Sequence, residues 1–258
     1  MGLYLKFLRL HLKSALQYKL SFVLTAMAQF FISFNSFIAV LFIFYRFPSI
    51  KTYSFSEVLL CFSIVLMSYS LTETFMRGFD TFSRFIINGD FDRFLLRPRS
   101  LVWQVVCGRV EFSKFAKISQ ATIMLVYGIV KTDIDWNFSR ILTLILMIAG
   151  GVIVFSCLFL IYASLCFFTL EGLELMNILT DGAKEHGKYP IDIYGKRVLR
   201  FCTYIVPYSL FQYYPFLYLT GRTDKAWYGL LPLLTLCFVI PCYLLWRFGV
   251  RHYKSAGS

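Results

Sequence analysis

Six long stretches without a charged residue constrain this chain more than any other feature of its sequence. They cover residues 20–45, 58–72, 118–130, 141–170, 201–221 and 226–246. A charged side chain at the centre of a bilayer costs roughly 2.5–3.5 kcal/mol on insertion scales, and about 20 residues of helix cross the hydrocarbon core. Four stretches are long enough on their own. The second stretch reaches that length if Glu57 or Glu73 lies at an interface, and the third reaches it if the span begins near Phe112. The pattern predicts an all-α, polytopic membrane protein.

The composition excludes the soluble classes of protein. Hydrophobic residues make up 58% of the chain and charged residues only 16%, whereas soluble domains carry about 25% charged residues. The sequence has no Gly-x-x-x-x-Gly-Lys-Ser/Thr phosphate-binding loop, and its three histidines lie far apart. It also has no His-Glu-x-x-His or Cys-x-x-Cys motif, so we expect neither a metal site nor a catalytic site.

The net charge of +12 is distributed unevenly along the chain. Residues 1–19, 77–117 and 247–258 together carry a net charge of +11, which leaves +1 for all other residues. Cytoplasmic loops of membrane proteins carry the excess of lysine and arginine. We therefore place all three segments in the cytoplasm, which predicts six spans with both termini inside. Attraction to anionic lipid accounts for the same charge, and we expect no nucleic-acid partner.

The first 19 residues predict an amphipathic helix that lies along the membrane surface. Four leucines, at positions 5, 8, 12 and 16, share one helical face, while the basic side chains fall on another. A cytoplasmic extension of the first spanning helix is the alternative. We do not expect a signal peptide, because the hydrophobic stretch that follows is too long and has no small-residue cleavage site.

The residues before the last span allow two topologies. Hydropathy favours 201–221 as the fifth span, but Pro207 and Pro215 each remove a backbone donor and disturb a helix there. Interrupted backbone at membrane depth requires protein or a water-lined cavity around it. In the competing solution 171–188 is a short fifth span, and 189–222 forms helices that dip into the membrane from outside. Hydropathy does not choose between the two.

The cytoplasmic connection over residues 77–117 is far longer than the usual connection of two to eight residues between helices. An Asn-Gly pair at 88–89 breaks one helix, and Asp90 can cap the next through its side-chain oxygen. Phe91, Phe94 and Leu95 then form a short apolar face, which a proline ends. A short amphipathic helix of this kind is suited to docking of a soluble partner. The alternative is a helix that lies among the lipid headgroups.

Three carboxylates lie near or inside predicted spans, namely Glu73, Glu171 and Glu174. Ionisable residues within a membrane are functional candidates by default. We consider them as contacts for the cargo or for a proton. The alternative is that they lie at helix ends close to the headgroups.

Two stretches of the chain resemble the type-2 permeases of ATP-binding-cassette exporters, most closely a bacterial branch with largely uncharacterised substrates. The first, which resembles the segment after the second span in that family, is Gly89-Asp90-Phe91-Asp92-Arg93-Phe94-Leu95-Leu96-Arg97-Pro98. The second is Tyr189-Pro190-Ile191-Asp192-Ile193-Tyr194, followed by proline-containing stretches at 205–208 and 214–215. The resemblance covers nearly the whole chain in length, number of spans and their order.

The resemblance implies a single permease domain over residues 1–258. Its spans would be 20–45, 56–76, 112–130, 140–169, 171–188 and 226–247. The interfacial helix, the cytosolic coupling segment and the outer-side re-entrant helices would be 1–19, 77–104 and 189–222, respectively. The fifth span would then contain Glu171, Glu174 and Asp181, which would have to face the protein interior or an interface.

The resemblance also implies roles for individual residues. The coupling helix, which would fit a cleft on an ATPase subunit, would include Gly89, Asp90, Phe91, Asp92, Arg93, Leu95, Leu96, Arg97 and Pro98. The re-entrant segment would include Tyr189, Pro190, Tyr194, Pro207, Tyr208, Tyr214 and Pro215. No cofactor is expected in this chain, because ATP and Mg²⁺ would bind to the ATPase.

These features lead to the hypothesis of a non-catalytic permease subunit in a bacterial cytoplasmic membrane, which exports an amphipathic or apolar cargo such as a lipid, drug or peptide. Two copies of the ATPase and a second, different permease are the expected partners. An ion-coupled secondary transporter that uses membrane carboxylates is the alternative, although the internal repeat usual in that class is missing. A membrane-embedded enzyme would need clustered His, Asp or Glu near one interface, and the sequence has no such cluster.

Overall fold

The computed structural model describes residues 2–169 and 174–254. Every regular element in those two ranges is a helix, and one isolated bridge joins Ile50 and Tyr53. The predicted all-α class is therefore confirmed for the described part of the chain.

The helices before residue 135 begin with the predicted interfacial helix and end with the predicted third span. They are α1 (Gly2–Gln17), α2 (Lys19–Arg46), α3 (Phe55–Phe75), α4 (Arg77–Asp80), α5 (Phe82–Ile87), α6 (Asp90–Leu95), α7 (Leu101–Gly108) and α8 (Phe115–Lys131). A short 3-10 turn, Phe112–Lys114, precedes α8.

The helices of the second half include the last two long apolar elements. They are α9 (Phe138–Leu165), α10 (Glu174–His186), α11 (Lys196–Tyr204), α12 (Tyr208–Phe211), α13 (Tyr214–Leu219) and α14 (Leu236–His252). Two 3-10 helices, Ile191–Tyr194 and Ala226–Thr235, lie among them, and the second runs directly into α14.

Four described elements are long and apolar enough to cross a membrane. They are α2, α3, α9 and the continuous unit Ala226–His252. The predicted third span corresponds to α8, which has 17 residues, and the predicted fifth span to α10, which is described over 13 residues. The count of six spans therefore stays a prediction.

Helix α3 lies at the centre of the molecule, buried along almost its whole length, and both α8 and α9 pack along it. Ser68 Oγ donates to the carbonyl of Ile148 at 3.1 Å, and Thr72 Oγ1 donates to that of Val152 at 3.4 Å. Between them, a Cβ atom at Gly151 would lie 2.5 Å from Ser68 Oγ. A small residue is needed here because it lets the two backbones approach closely enough for these hydrogen bonds.

Helix α2 presents a large apolar surface on the outside of the molecule. Its exposed side chains include Val23, Leu24, Met27, Phe31, Ile32 and Phe42. An apolar surface of this extent is typical of a face that lipid or another membrane protein covers.

The three basic segments of the sequence meet at one end of the helical bundle. The ring of Tyr4 on α1 packs at a tilt against that of Trp103 on α7, with 5.2 Å between ring centroids, and His11 Nε2 lies 2.9 Å from the carbonyl oxygen of Cys107. From the C-terminal segment, the ring of Tyr253 lies 4.9 Å from that of Phe91. We call this the basic end of the molecule.

The predicted re-entrant segment contacts the loop between α2 and α3. Arg222 lies 2.8 Å from a carboxylate oxygen of Glu57 and donates to the carbonyl of Thr52 at 2.7 Å. Nearby, the Tyr53 hydroxyl donates to Asp192 at 3.2 Å. The segment is therefore attached at the end of α3 that is remote from the basic end.

The hydrophobic stretch 201–221 does not form one helix, because Pro207 lies directly before α12 and Pro215 lies in the first turn of α13. The Tyr218 hydroxyl lies 2.9 Å from Ser139 Oγ at the start of α9. Phe211 instead packs against Phe155 in the middle of α9. The chain therefore runs from the middle of α9 to its start without crossing the bundle, and the re-entrant assignment of 189–222 stays a prediction.

Candidate functional site

The predicted coupling helix is α6, and a left-handed glycine sets its direction. Gly89 has a φ of +68°, a conformation that favours glycine, and it separates α5 from α6. The expectation that Asp90 caps α6 is wrong, because the N-cap residue is Gly89, which has no side chain with which to cap the helix. Asp90 is the first helical residue, and it accepts a hydrogen bond from Arg93 at 3.3 Å.

One side of α6 is anchored in a cluster of aromatic rings. Its members are Phe79, Phe82, Phe91, Phe167, Trp246 and Tyr253, which we call the aromatic cluster. The side chain of Phe91 is fully buried, 5.3 Å from Phe82 and 5.2 Å from Phe167 between ring centroids. Aromatic pairs of this kind contribute about 0.5–1.5 kcal/mol each beyond their burial. The cluster therefore joins α6 to the chain after α9 and to the end of α14.

A second contact holds the C-terminal end of α6. The side-chain amide of Gln104 on α7 donates to the carbonyl of Phe94 at 3.0 Å and to that of Arg99 at 3.1 Å. The last carbonyl groups of a helix have no partner within the helix. Gln104 thus fixes the end of α6 and the start of the following connection.

The opposite side of α6 is exposed and mixes apolar with basic side chains. We call this surface the α6 tip, and it consists of Ile87, Arg93, Leu95, Leu96 and Arg97. Leu96 is 86% exposed and Leu95 is 46% exposed. Exposed large apolar side chains surrounded by charge are typical of surfaces that contact another protein or the membrane.

The predicted coupling residues therefore divide into two groups. Phe91 points inward as the anchor, whereas Arg93, Leu95 and Leu96 point outward. Asp92 is partly buried, and Arg97 and Pro98 are exposed just beyond the helix end. The spacing predicts that Phe91, Phe94 and Leu95 form one exposed apolar face. In the structure Phe91 is buried, and Leu95 is exposed beside basic residues.

Glu73, one of the predicted membrane carboxylates, lies between two lysines. Its Oε1 atom is 2.8 Å from Lys114 Nζ and its Oε2 atom is 2.7 Å from Lys117 Nζ. All three residues are buried, each with 4% of its surface exposed. Lys114 also donates to Gln29 of α2 at 3.1 Å. Both oxygens of Glu73 are engaged, and the contacts connect α2, α3 and the start of α8.

Half-buried charges extend from Glu73 into the coupling segment. Arg77 forms an ion pair with Asp80 and lies 2.8 Å from Glu111. The backbone N–H of Glu111 donates to the carbonyl of Thr74 at 3.1 Å, which closes the coupling segment back onto α3. Burial raises the pKa of the Asp80 carboxyl, and the Arg77 guanidinium opposes that shift.

On the same stretch of α3, Tyr69 connects to α10. Its hydroxyl donates to Asp181 at 2.6 Å, and Lys184 lies 3.3 Å from the same carboxylate. The Asp181 carboxylate therefore meets α3 although 58% of its side chain is exposed, and the assignment of α10 to the fifth span stays a prediction. Glu171 lies outside the described residues, and so does the side chain of Glu174.

The sequence did not reveal the partners of Glu73. Lys114 and Lys117 contributed only to the charge count, although their spacing of three places both on one side of a helix. Tyr69, in the uncharged stretch of α3, likewise gave no sign that it meets a carboxylate.

The predicted residues of the re-entrant segment form local contacts rather than one site. Tyr208 donates to the carbonyl of Leu179, and Tyr194 donates to that of His186 at 3.0 Å. Tyr214 lies 3.4 Å from Thr203 Oγ1. The side-chain amide of the buried Gln212 donates to the carbonyl of Tyr189 at 2.8 Å. Pro190 lies directly before the 3-10 helix Ile191–Tyr194.

A mostly apolar cavity of about 250 Å³ opens between α10, α11 and α12. Ile178, Phe201, Tyr208 and Phe211 are among the side chains that line it. Pockets with apolar walls and few polar groups are typical of sites for small apolar ligands.

A family model described as ABC-2 family transporter protein matches residues 30–257 of the chain. The matched range includes the coupling segment, the re-entrant segment and all of α3 to α14. No curated protein and no solved structure matches the chain.

Glu73→Gln is expected to destabilise the fold strongly, because it leaves two buried ammonium groups facing an amide. Removal of one partner of a buried pair costs about 3–5 kcal/mol. Asp135→Asn is the control, since Asp135 is fully exposed and lies 3.9 Å from Arg140. Thermal unfolding in detergent should show a clear fall in Tm for the first variant only. An unchanged Tm together with lost transport would instead assign Glu73 a direct part in carrying ions or cargo.

Phe91→Ala and Leu96→Ala should separate the two sides of α6. Truncation of the buried Phe91 is expected to cost about 3–5 kcal/mol, whereas Leu96, which is 86% exposed, should change stability by less than about 0.5 kcal/mol. Thermal unfolding of both purified variants measures this difference. Equal losses of stability would contradict the placement of α6.

Proposed function

The chain belongs to the ABC-2 family of transporter proteins, and we propose that it is the membrane permease subunit of an ATP-binding-cassette exporter. Family membership makes it a multi-pass membrane protein that transports a substrate and implies association with an ATP-binding-cassette ATPase. In the proposal the cargo leaves the cell across a bacterial cytoplasmic membrane. Hydrolysis of ATP takes place on the ATPase, which binds the nucleotide and Mg²⁺.

The α6 tip is the observation that carries the proposal. It presents two leucines and two arginines on α6 and the two residues that follow it, while the other side of α6 is buried in the aromatic cluster. A surface with anchored apolar side chains and a charged rim has the chemistry of a protein interface. We assign it as the docking surface for the ATPase.

The aromatic cluster supplies a route by which movement of the ATPase would reach the spans. Phe91 touches Phe167, which follows α9, and Tyr253, which follows α14. The ring centroid of Trp246 on α14 lies 5.1 Å from that of Phe82 in the coupling segment. Closely packed side chains resist compression, so displacement of α6 would shift α9 and α14 as rigid bodies.

An apolar or amphipathic cargo, such as a lipid, drug or peptide, is supported by the apolar cavity between α10, α11 and α12. The exposed apolar face of α2 would be covered by lipid or by the second permease. Two permeases, expected to differ from one another, and two copies of the ATPase would form the complete exporter.

A cytoplasmic location for both termini is supported by two features. The basic segments 1–19, 77–117 and 247–258 lie together at the basic end, which fits the lysine and arginine excess of cytoplasmic loops. The re-entrant segment contacts the loop at the other end of α3 and would therefore lie outside.

The alternative of an ion-coupled transporter would use the membrane carboxylates Glu73 and Glu171, of which Glu73 is among the described residues. Two lysines occupy both of its oxygens, and a carrier must exchange such partners for an ion during each cycle. The pairing therefore favours a structural role for Glu73 and an ATP-driven mechanism.

Leu95→Ala with Leu96→Ala should weaken binding of the ATPase. Loss of two interface leucines is expected to lower recovery of the ATPase with a tagged permease by about tenfold. The matched control is Phe138→Ala with Ile141→Ala, whose side chains are exposed to a similar degree at the far end of α9. Equal recovery of the ATPase with both double variants would contradict the assignment.

The predicted topology can be tested by cysteine labelling. Lys196→Cys on α11 should react with a membrane-impermeant maleimide in intact cells, and Arg93→Cys on the α6 tip only after permeabilisation. Cys202 and Cys237, which are not fully buried, are first replaced by serine. Labelling in the opposite order would overturn the orientation, and labelling of both sites in intact cells would overturn the placement on opposite sides.

A further inference from the structure

A second cavity, of about 480 Å³, lies at the basic end between the start of α7 and the last turns of α14. Three arginines line it, Arg99 from the connection after α6 and Arg247 and Arg251 from α14. None of the three forms an ion pair with another described residue, and no carboxylate is among the residues lining the cavity. Arg247 and Arg251 are one helical turn apart, so their like charges repel without an anion between them.

The cavity also has an apolar part. Leu101, Val102 and Val250 line it beside the ring of Tyr243. Along the same helix, Ile240, Leu244 and Phe248 are exposed large hydrophobic residues. An occupant with an anionic head and a hydrocarbon tail would therefore find a partner for each part, with the tail continuing along the outside of α14.

The start of α7 adds hydrogen-bond donors. Ser100, the N-cap residue, makes no side-chain cap bond, and it lines the cavity. The first backbone N–H groups of a helix have no partner within the helix and favour an anion. Guanidinium groups match the oxygens of a phosphate in two-pronged hydrogen bonds.

We propose that this cavity binds an anionic phospholipid, with the phosphate held by Arg99, Arg247 and Arg251 and an acyl chain lying along α14. Basic pockets between helices on the cytoplasmic side are suited to such headgroups. Trp246 lines the cavity and also belongs to the aromatic cluster. The bound lipid would therefore contact the structure that supports α6. This proposal requires the basic end to lie at the cytoplasmic interface and is otherwise independent of transport.

The test is native mass spectrometry of the full chain in detergent with added dioleoyl phosphatidylglycerol or dioleoyl phosphatidylcholine. The wild type should retain phosphatidylglycerol in preference to phosphatidylcholine. Arg99→Gln with Arg247→Gln and Arg251→Gln should lower the apparent affinity for phosphatidylglycerol by about tenfold or more. The matched control removes the same charge from the exposed face of α11 through Lys196→Gln, Arg197→Gln and Arg200→Gln, and it should bind as the wild type does.

Three results would overturn the proposal. They are equal binding of the two lipids, unchanged binding by the triple variant of the cavity, and an equal loss in the triple variant of α11. Millimolar inorganic phosphate distinguishes the lipid from a free anion, because displacement of phosphatidylglycerol by phosphate alone would assign the cavity to soluble phosphate. If the triple variant does not fold, Arg251→Gln alone, at the exposed end of α14, should still lower the affinity by about threefold.

Discussion

The carboxylate of Glu73, held between Lys114 and Lys117, is the interaction on which the arrangement of the first half of the molecule depends. Buried charges among apolar helices require partners at hydrogen-bond distance, because an unpaired charge there is far more costly than the pair. The pairing fixes where α8 begins against α3, and Lys114 brings in α2 through Gln29. The long coupling segment is therefore a loop with both ends attached at one point of the bundle.

The coupling segment is attached a second time, by aromatic packing rather than charge. Phe91 brings α6 against Tyr253 and the chain after α9, and Trp246 of α14 contacts Phe79 and Phe82. These contacts join elements that are far apart in sequence, so in the proposed mechanism a force on the exposed leucines of α6 would be carried to α14. The cavity proposed to bind a lipid borders the same tryptophan, so a bound lipid would lie close to the proposed docking surface.

The sequence predicted most of what depends on local pattern. The uncharged stretches located α2, α3, α9 and the last span, and the Asn-Gly pair located the start of α6. It did not predict which side of α6 is buried, because Phe91 and Leu95 are equally apolar and only tertiary contacts distinguish them. The partners of Glu73 lie 41 and 44 residues away, and hydropathy contains no information on such pairs. The stretch 201–221 looked like a span because hydropathy ignores the two prolines that divide it into short helices.

The central claim is that the exposed leucines of α6 contact the ATPase, and photo-crosslinking at position 96 tests it most directly. A benzophenone amino acid is incorporated there, in a side chain that is 86% exposed, and the complete transporter is irradiated in its native membrane. The account predicts a covalent adduct between this chain and the ATPase, and none from the same probe at position 138. An adduct with lipid alone at position 96, or an ATPase adduct from position 138, would contradict it.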